Sequence, residues 1–292
     1  MRPASRRTDD PFGLSNGRRM TIASLLMLIA VPIALGSPGP SPSPAPAPND
    51  PCGTILATVN RPTVTTGVCT VRTGHADVEA GYTNTTTTGV GASSTVDYPQ
   101  ALVRVGTADP HLDLEFGPPS YETSSAGGMV VSGASDVNLG AKYEIGYDSN
   151  ASWGTNVVVT FPTGSHAFSA GNAQFTGNLN AAYTINSEFS LAGTLSFDAL
   201  SALNSADSAQ SYFAFIPSLQ LSAALPGGPS QISAEYAYFS AAGPGLGAKG
   251  LIDFVYQRDY GHVQFDAEYG FSPTAIEGQK QRYAGAGVSV MI

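Results

Sequence analysis

Charge is scarce in this chain. Asp, Glu, Lys and Arg make up 12% of its 292 residues, against about 25% in an ordinary soluble domain. The 13 basic residues are outnumbered by 22 acidic ones, for a formal net charge of −9. The clustered Lys and Arg that neutralise phosphates are missing, which excludes nucleic acid as a partner. Cysteine is limited to Cys52 and Cys69, so a Cys-x-x-Cys metal or redox motif is excluded. Gly-x-Ser-x-Gly, His-Glu-x-x-His and phosphate-loop patterns are also missing. No catalytic residue, metal ligand set or cofactor is expected, and the chain does not read as an enzyme.

Long hydrophobic runs are missing too. The one apolar stretch, Thr21 to Gly36, falls short of the roughly 20 residues a spanning helix needs. It follows a basic segment with Arg2, Arg6, Arg7, Arg18 and Arg19, and it ends in the small-x-small run Ala34-Leu35-Gly36. Residues 1–36 therefore read as an export signal peptide, with Met20 as an alternative start and Arg18-Arg19 as a weak twin-arginine hint. Residues 37–73 form a Pro-rich linker followed by the segment carrying both cysteines. In an exported chain these two are expected to pair, closing a small loop next to the first strand; two free thiols are the alternative.

What remains, residues 74–292, alternates. Between Asp136 and Asp148, Val137, Leu139, Ala141, Tyr143, Ile145 and Tyr147 fall on one face, and Asn138, Lys142 and Glu144 on the other. Only a period of two separates these sets. The pattern recurs at 75–84, 101–106, 111–116, 153–161, 174–185, 189–198, 212–223, 231–238, 251–257, 263–272 and 283–292. About twelve strands are predicted. Separators include Gly117-Pro118-Pro119, Asp148-Ser149-Asn150 and Pro226-Gly227-Gly228-Pro229, read as turns. Aromatics near strand ends, such as Phe116, Tyr147, Trp153, Phe161 and Phe271, suit an interfacial girdle. The polar face carries Ser, Thr, Asn and Gly rather than Lys and Glu. That favours an all-β transmembrane antiparallel barrel over a soluble β-sandwich, which also alternates.

The alternation assigns the pore lining. Expected inward are Asp77, Glu79, Arg104, Asp113, Glu115, Asn138, Lys142, Glu144, Asn178, Asn180, Glu235, Asp253, Asp266 and Glu268. Such an interior favours cations or polar neutral solutes. His75-x-Asp77-x-Glu79 and His111-x-Asp113-x-Glu115 share a spacing, and His262 precedes Asp266 and Glu268. Same-face neighbours on a strand lie about 7 Å apart, too far to chelate a metal from one strand, so these read as lining charges.

Leu112-Asp113-Leu114-Glu115-Phe116-Gly117-Pro118-Pro119, Ser135 to Tyr143, Val159 to Gly164 and Tyr269 to Pro273 carry a resemblance. Over about residues 75–292 the chain resembles the outer-membrane transporter family named for the MetA pathway of phenol degradation. The resemblance implies an outer-membrane channel for small molecules, aromatic or hydrophobic ones among them. It also implies lipid, lipopolysaccharide and the barrel-assembly machinery as partners. No catalytic residue is carried over. The chain ends in Ile292 where barrel proteins often end in an aromatic. Two alternatives stay open. One is a non-conducting barrel serving as anchor or adhesin, acting through loops such as 84–98, 118–135 and 199–210. The other is a barrel hydrolase.

Overall fold

Along Leu112–Gly117 the usual distribution of residues in a folded protein is reversed. Asp113 is fully buried and Glu115 is 6% exposed, while Leu114 is 53% and Phe116 43% exposed. Charged groups inside and large apolar groups outside is the inverse of a water-soluble protein. It is what a strand shows with one face towards hydrocarbon and the other towards a polar interior.

In the computed structural model of the chain, the described residues are 51–89, 91–203, 208–276 and 278–292. The signal peptide expected over 1–36 and the Pro-rich stretch up to residue 50 lie outside them. One helical turn, α1 (Ile55–Thr58), precedes β1 (Ala76–Thr88), β2 (Ser93–Tyr98), β3 (Leu102–Gly106), β4 (Leu112–Gly117) and β5 (Tyr121–Ala126). Next come β6 (Met129–Ala134), β7 (Val137–Tyr147), β8 (Ala151–Phe161), β9 (Gln174–Thr184) and β10 (Phe189–Leu203). The last are β11 (Ala209–Ala224), β12 (Ser230–Phe239), β13 (Lys249–Tyr260), β14 (Val263–Phe271) and β15 (Lys280–Met291).

All neighbours pair antiparallel, and β15 returns to β1 from Asp77↔Met291 to Thr88↔Lys280. Closure removes the free edges that hydrocarbon would not tolerate. β2 runs on into β3, β4 into β5 and β6 into β7, so the wall is a closed 12-strand antiparallel barrel.

Two sequence expectations are corrected here. Segments 84–98 and 118–135, read as loops, contain the end of β1 and the strands β2, β5 and β6, and residues 199–203 belong to β10. The short polar stretches Ser93–Tyr98 and Tyr121–Ala126 have too little alternation to announce a strand, and their ladder partners supply the order. Gly117-Pro118-Pro119 is not a turn but an interruption between β4 and β5 within one wall strand.

The real reversal in that stretch is Gly127-Gly128, between Ala126 and Met129, which pair with each other. Both glycines have positive φ, 57° and 82°, the requirement of a two-residue hairpin turn that matches strand twist. At the opposite end, the turn between β7 and β8 is held by Asp148. Its Oδ1 accepts the N–H groups of Asn150 and Ala151 at 2.8 Å each, and these bonds hold its carboxyl below the usual carboxylate range.

Leu179 lies at the middle of β9 and is 52% exposed, whereas its neighbour Asn180 is buried. Leu179→Arg is expected to destabilise the barrel by roughly 2–4 kcal/mol in a bilayer, the cost of a charge at mid-membrane depth. Denaturant titration in liposomes reads this, and Leu179→Phe should change it little.

Candidate functional site

The space enclosed by the wall is not empty. Residues 51–73 fold inside it, joined by a disulfide between Cys52 and Cys69, 17 positions apart. Thr54 caps α1 by accepting the Ala57 N–H at 3.3 Å. Cys52, Ile55, Val59, Val68, Cys69 and Val71 are buried, a small apolar cluster within an otherwise polar interior.

Side chains of the wall hold this segment by its backbone. Glu79 on β1 accepts the N–H groups of Asn60 (3.0 Å) and Arg61 (2.9 Å). Across the barrel, Glu235 on β12 accepts those of Val64 (2.9 Å) and Thr65 (2.8 Å). Asp113 on β4 takes the Val71 N–H at 2.9 Å, and Thr194 on β10 takes that of Thr66 at 2.9 Å. The carbonyls are met by donors. Arg104 on β3 donates to Thr58 O and, at 2.8 Å, to Cys69 O. Gln257 on β13 donates to Arg61 O at 3.0 Å. Lys142 on β7 donates to the Asn60 side chain.

These contacts have an electrostatic reason. Arg104 lies within 4 Å of four carboxylates: Asp113 at 2.6 Å, Glu115 at 3.6 Å, Asp77 at 3.8 Å and Glu79 at 3.9 Å. Strand register sets this up. Asp77 and Glu115 both face Arg104, and Asp113 faces Lys142. Four acids meet two bases, and a buried charge without a partner is costly. Backbone N–H groups of the inner segment supply part of the missing positive end. Hydrogen bonds to an ionised carboxylate are roughly twice as strong as neutral ones.

Of the residues assigned inward from the alternation, Asp77, Glu79, Arg104, Asp113, Glu115 and Lys142 form this one belt, all of them buried, and Glu144 is buried as well. Glu235 pairs opposite Asp253, which accepts a hydrogen bond from Tyr283 Oη at 2.8 Å. Asp266 lies 3.7 Å from Arg61 of the inner segment, and Glu268 accepts from Thr83 at 3.0 Å. Asn180 joins Asn156 and Thr194 in a chain of hydrogen bonds, with Asn178 buried beside them. Asn138 stands apart, half-buried beside Gly117. His75, His111 and His262 are exposed at the turn end, where His111 Nδ1 lies 3.6 Å from Glu144 Oε1, and no group of three metal-ligating side chains forms among the described residues.

The sequence reading missed that the lining has a protein partner, and with it Arg61, Gln100, Thr194 and Gln257. Segment 51–73 has no strand or helix period, so periodicity could not place it. The two cysteines were the one sign of compact structure there. The disulfide loop lies inside the barrel, not beside its first strand.

At the loop end, a cavity of about 440 Å³ remains above the segment, bordered by Asn60 to Val64, Glu79, Gln100, Leu102, Glu268 and Tyr283. The arrangement defines a membrane-spanning β-barrel with a polar, largely filled interior.

The chain belongs to the family described as "Putative MetA-pathway of phenol degradation", whose model matches residues 59–248. That match begins within the inner segment. The fold is shared with an outer-membrane channel from Pseudomonas putida F1, at 13% identity and a TM-score of 0.58, covering 77% of this chain and 98% of that one. The NanC porin is also similar, at 10% identity and a TM-score of 0.48, covering 74% and 98%. No curated protein matches by sequence.

Two outcomes are expected at this site. Arg104→Met takes from the four carboxylates the cation they share and should destabilise the barrel by about 3–5 kcal/mol, the cost of breaking a buried pair; detergent unfolding reads it. Cys52→Ser with Cys69→Ser removes a constraint on a loop of this length of roughly 3 kcal/mol. It should loosen the inner segment and leave the wall intact. Limited proteolysis should then cut within 51–73 while the barrel keeps its heat-modifiable migration.

Proposed function

We propose that this chain is an outer-membrane channel for small molecules, with its own N-terminal segment as the axial barrier. The observation that carries the reading is the inner segment's attachment. It is held mainly by hydrogen bonds from its backbone N–H groups to wall carboxylates, not by a continuous apolar core, so the interior stays polar and the barrier can shift. Export through the residue 1–36 signal peptide, assembly by the barrel machinery and contact with lipopolysaccharide go with this reading. The family's description, which names phenol degradation, and the uncharged part of the cavity wall, Gln100, Leu102 and Tyr283 beside Arg61, Glu79 and Glu268, favour small, partly aromatic solutes. Glu268 and Asp266 bias any ion flow towards cations. The pore-lining role of the inward residues belongs to this proposal.

A second reading has one observation in its favour. The lumen is filled, as in a barrel acting only as anchor or adhesin. A hydrolase fits less well, because His75, His111 and His262 are exposed at the turn end, with only Glu144 of the inward carboxylates recorded beside one of them, His111, at 3.6 Å.

Planar-bilayer recording separates the first two readings. The wild type is expected to conduct in rare, small, cation-preferring events. Glu79→Gln with Glu235→Gln replaces charge-assisted bonds to the segment by neutral ones and should raise the open fraction several-fold. Silence in both proteins at every salt concentration would leave the anchor reading standing.

A further inference from the structure

The inner segment does not fill the lumen evenly. The charged belt around Arg104 stands on β1, β3, β4 and β7. Along β8 to β13, at the turn end, a cavity of about 330 Å³ remains between the segment and the wall. The strands contribute Ser152, Ser190, Gln220, Ser222, Gln231 and Gln257 to its border, and no strand residue there is charged. Asp148, at the rim, is engaged in its own turn through Oδ1. The guanidinium of Arg61 is turned towards Gln100 at 3.0 Å and Asp266 at 3.7 Å.

Two of these side chains lack a partner. Ser152 and Gln220 are buried, at 5% and 8% exposure, and neither side chain has a hydrogen-bond partner among the described residues. Buried polar side chains in folded proteins are mostly paired. Others on the same border are paired with each other. The Ser222 and Ser233 hydroxyls meet at 2.8 Å. Gln231 donates to Gln257 at 2.6 Å, and Gln257 donates to Arg61 O at 3.0 Å and to Gln264 at 3.1 Å. A hydroxyl and an amide on the cavity border are thus left free for a molecule that both gives and takes hydrogen bonds. A hydroxyl group does both. The volume lies at the lower end of the range for small-molecule sites.

Only the segment itself separates this cavity from the one at the loop end. Val59 and Thr65 border the turn-end cavity, Asn60, Pro62 and Val64 the loop-end one, and Arg61 and Thr63 border both. The partition is a single stretch of chain. We propose that the turn-end cavity is a binding site for a small neutral molecule with several hydroxyl groups, a sugar or polyol. The inference rests on the channel reading above for its role, and adds a solute class and a stopping place on the axial path. An ion would leave water for a border without a free counter-charge. A wholly apolar molecule would leave Ser152 and Gln220 unpaired. A polyol meets both groups and keeps its own hydroxyls bonded.

The test is saturation-transfer NMR on the folded full-length protein, in micelles of a detergent without a sugar headgroup. D-glucose is the probe and gluconate its charged counterpart. Transfer to glucose is expected in the wild type, and roughly fivefold less or weaker still to gluconate. Ser152→Ala with Gln220→Leu should cut the transfer to glucose by about the same factor, since the site then loses the groups that bond the hydroxyls. Ala192→Phe fills the cavity from β10 instead, and serves if the double variant lacks heat-modifiable migration. No transfer to glucose in the wild type means that water alone occupies the cavity, and overturns the proposal. Transfer equal to wild type in the folded variants puts the sugar elsewhere and overturns it too. Equal transfer to gluconate overturns the neutral class. The channel reading fails on a different result, silence in planar bilayers of both the wild type and the Glu79→Gln, Glu235→Gln variant, whatever the transfer to glucose.

Discussion

A carboxylate inside a membrane barrel has little bulk water to fall back on, and this protein places a belt of them on neighbouring strands. How those charges are paired governs the rest of the structure. Arg104 sits between Asp77, Glu79, Asp113 and Glu115 but cannot satisfy all of them. The balance comes from Lys142 and from backbone N–H groups of residues 60, 61 and 71. The segment 51–73 is thus part of the electrostatics of the wall. Remove it and Glu79, Asp113 and Glu235 each lose a partner.

That dependence runs both ways. Among the described residues, the inner segment has one helical turn and a few buried apolar side chains. It has too little apolar surface to fold alone. Its shape is set by where the wall carboxylates stand, and their positions by strand register. A segment fixed through polar contacts, with a disulfide limiting how far it can spread, is suited to small displacements without unfolding.

Much of the wall was legible in the sequence because lipid on one side and polar contacts on the other impose a period of two. Leu139, Tyr143 and Ile145 against Lys142 and Glu144 needed no structure to be sorted. The strand number was legible as well, since the segments that went unread, β2, β5 and β6, extend strands already counted. They were hidden because Ser93–Tyr98 and Tyr121–Ala126 are polar on both faces and because prolines at 99, 118 and 119 look like turn residues. The occupant of the lumen was not legible. Asn60, Arg61, Val64 and Thr65 meet the carboxylates through backbone N–H groups, which every residue but proline carries. No side-chain pattern marks such a site.

The central claim is that wall carboxylates hold the backbone of residues 60–71 inside the barrel. Amide hydrogen exchange on the full-length protein in lipid tests it most directly. The amides of Asn60, Arg61, Val64, Thr65 and Val71 are predicted to exchange far more slowly than those of an unstructured chain, and Glu235→Gln should speed up Val64 and Thr65 before the rest. Exchange at unstructured rates for all five in the wild type would mean that the segment lies outside the lumen, and would contradict the account.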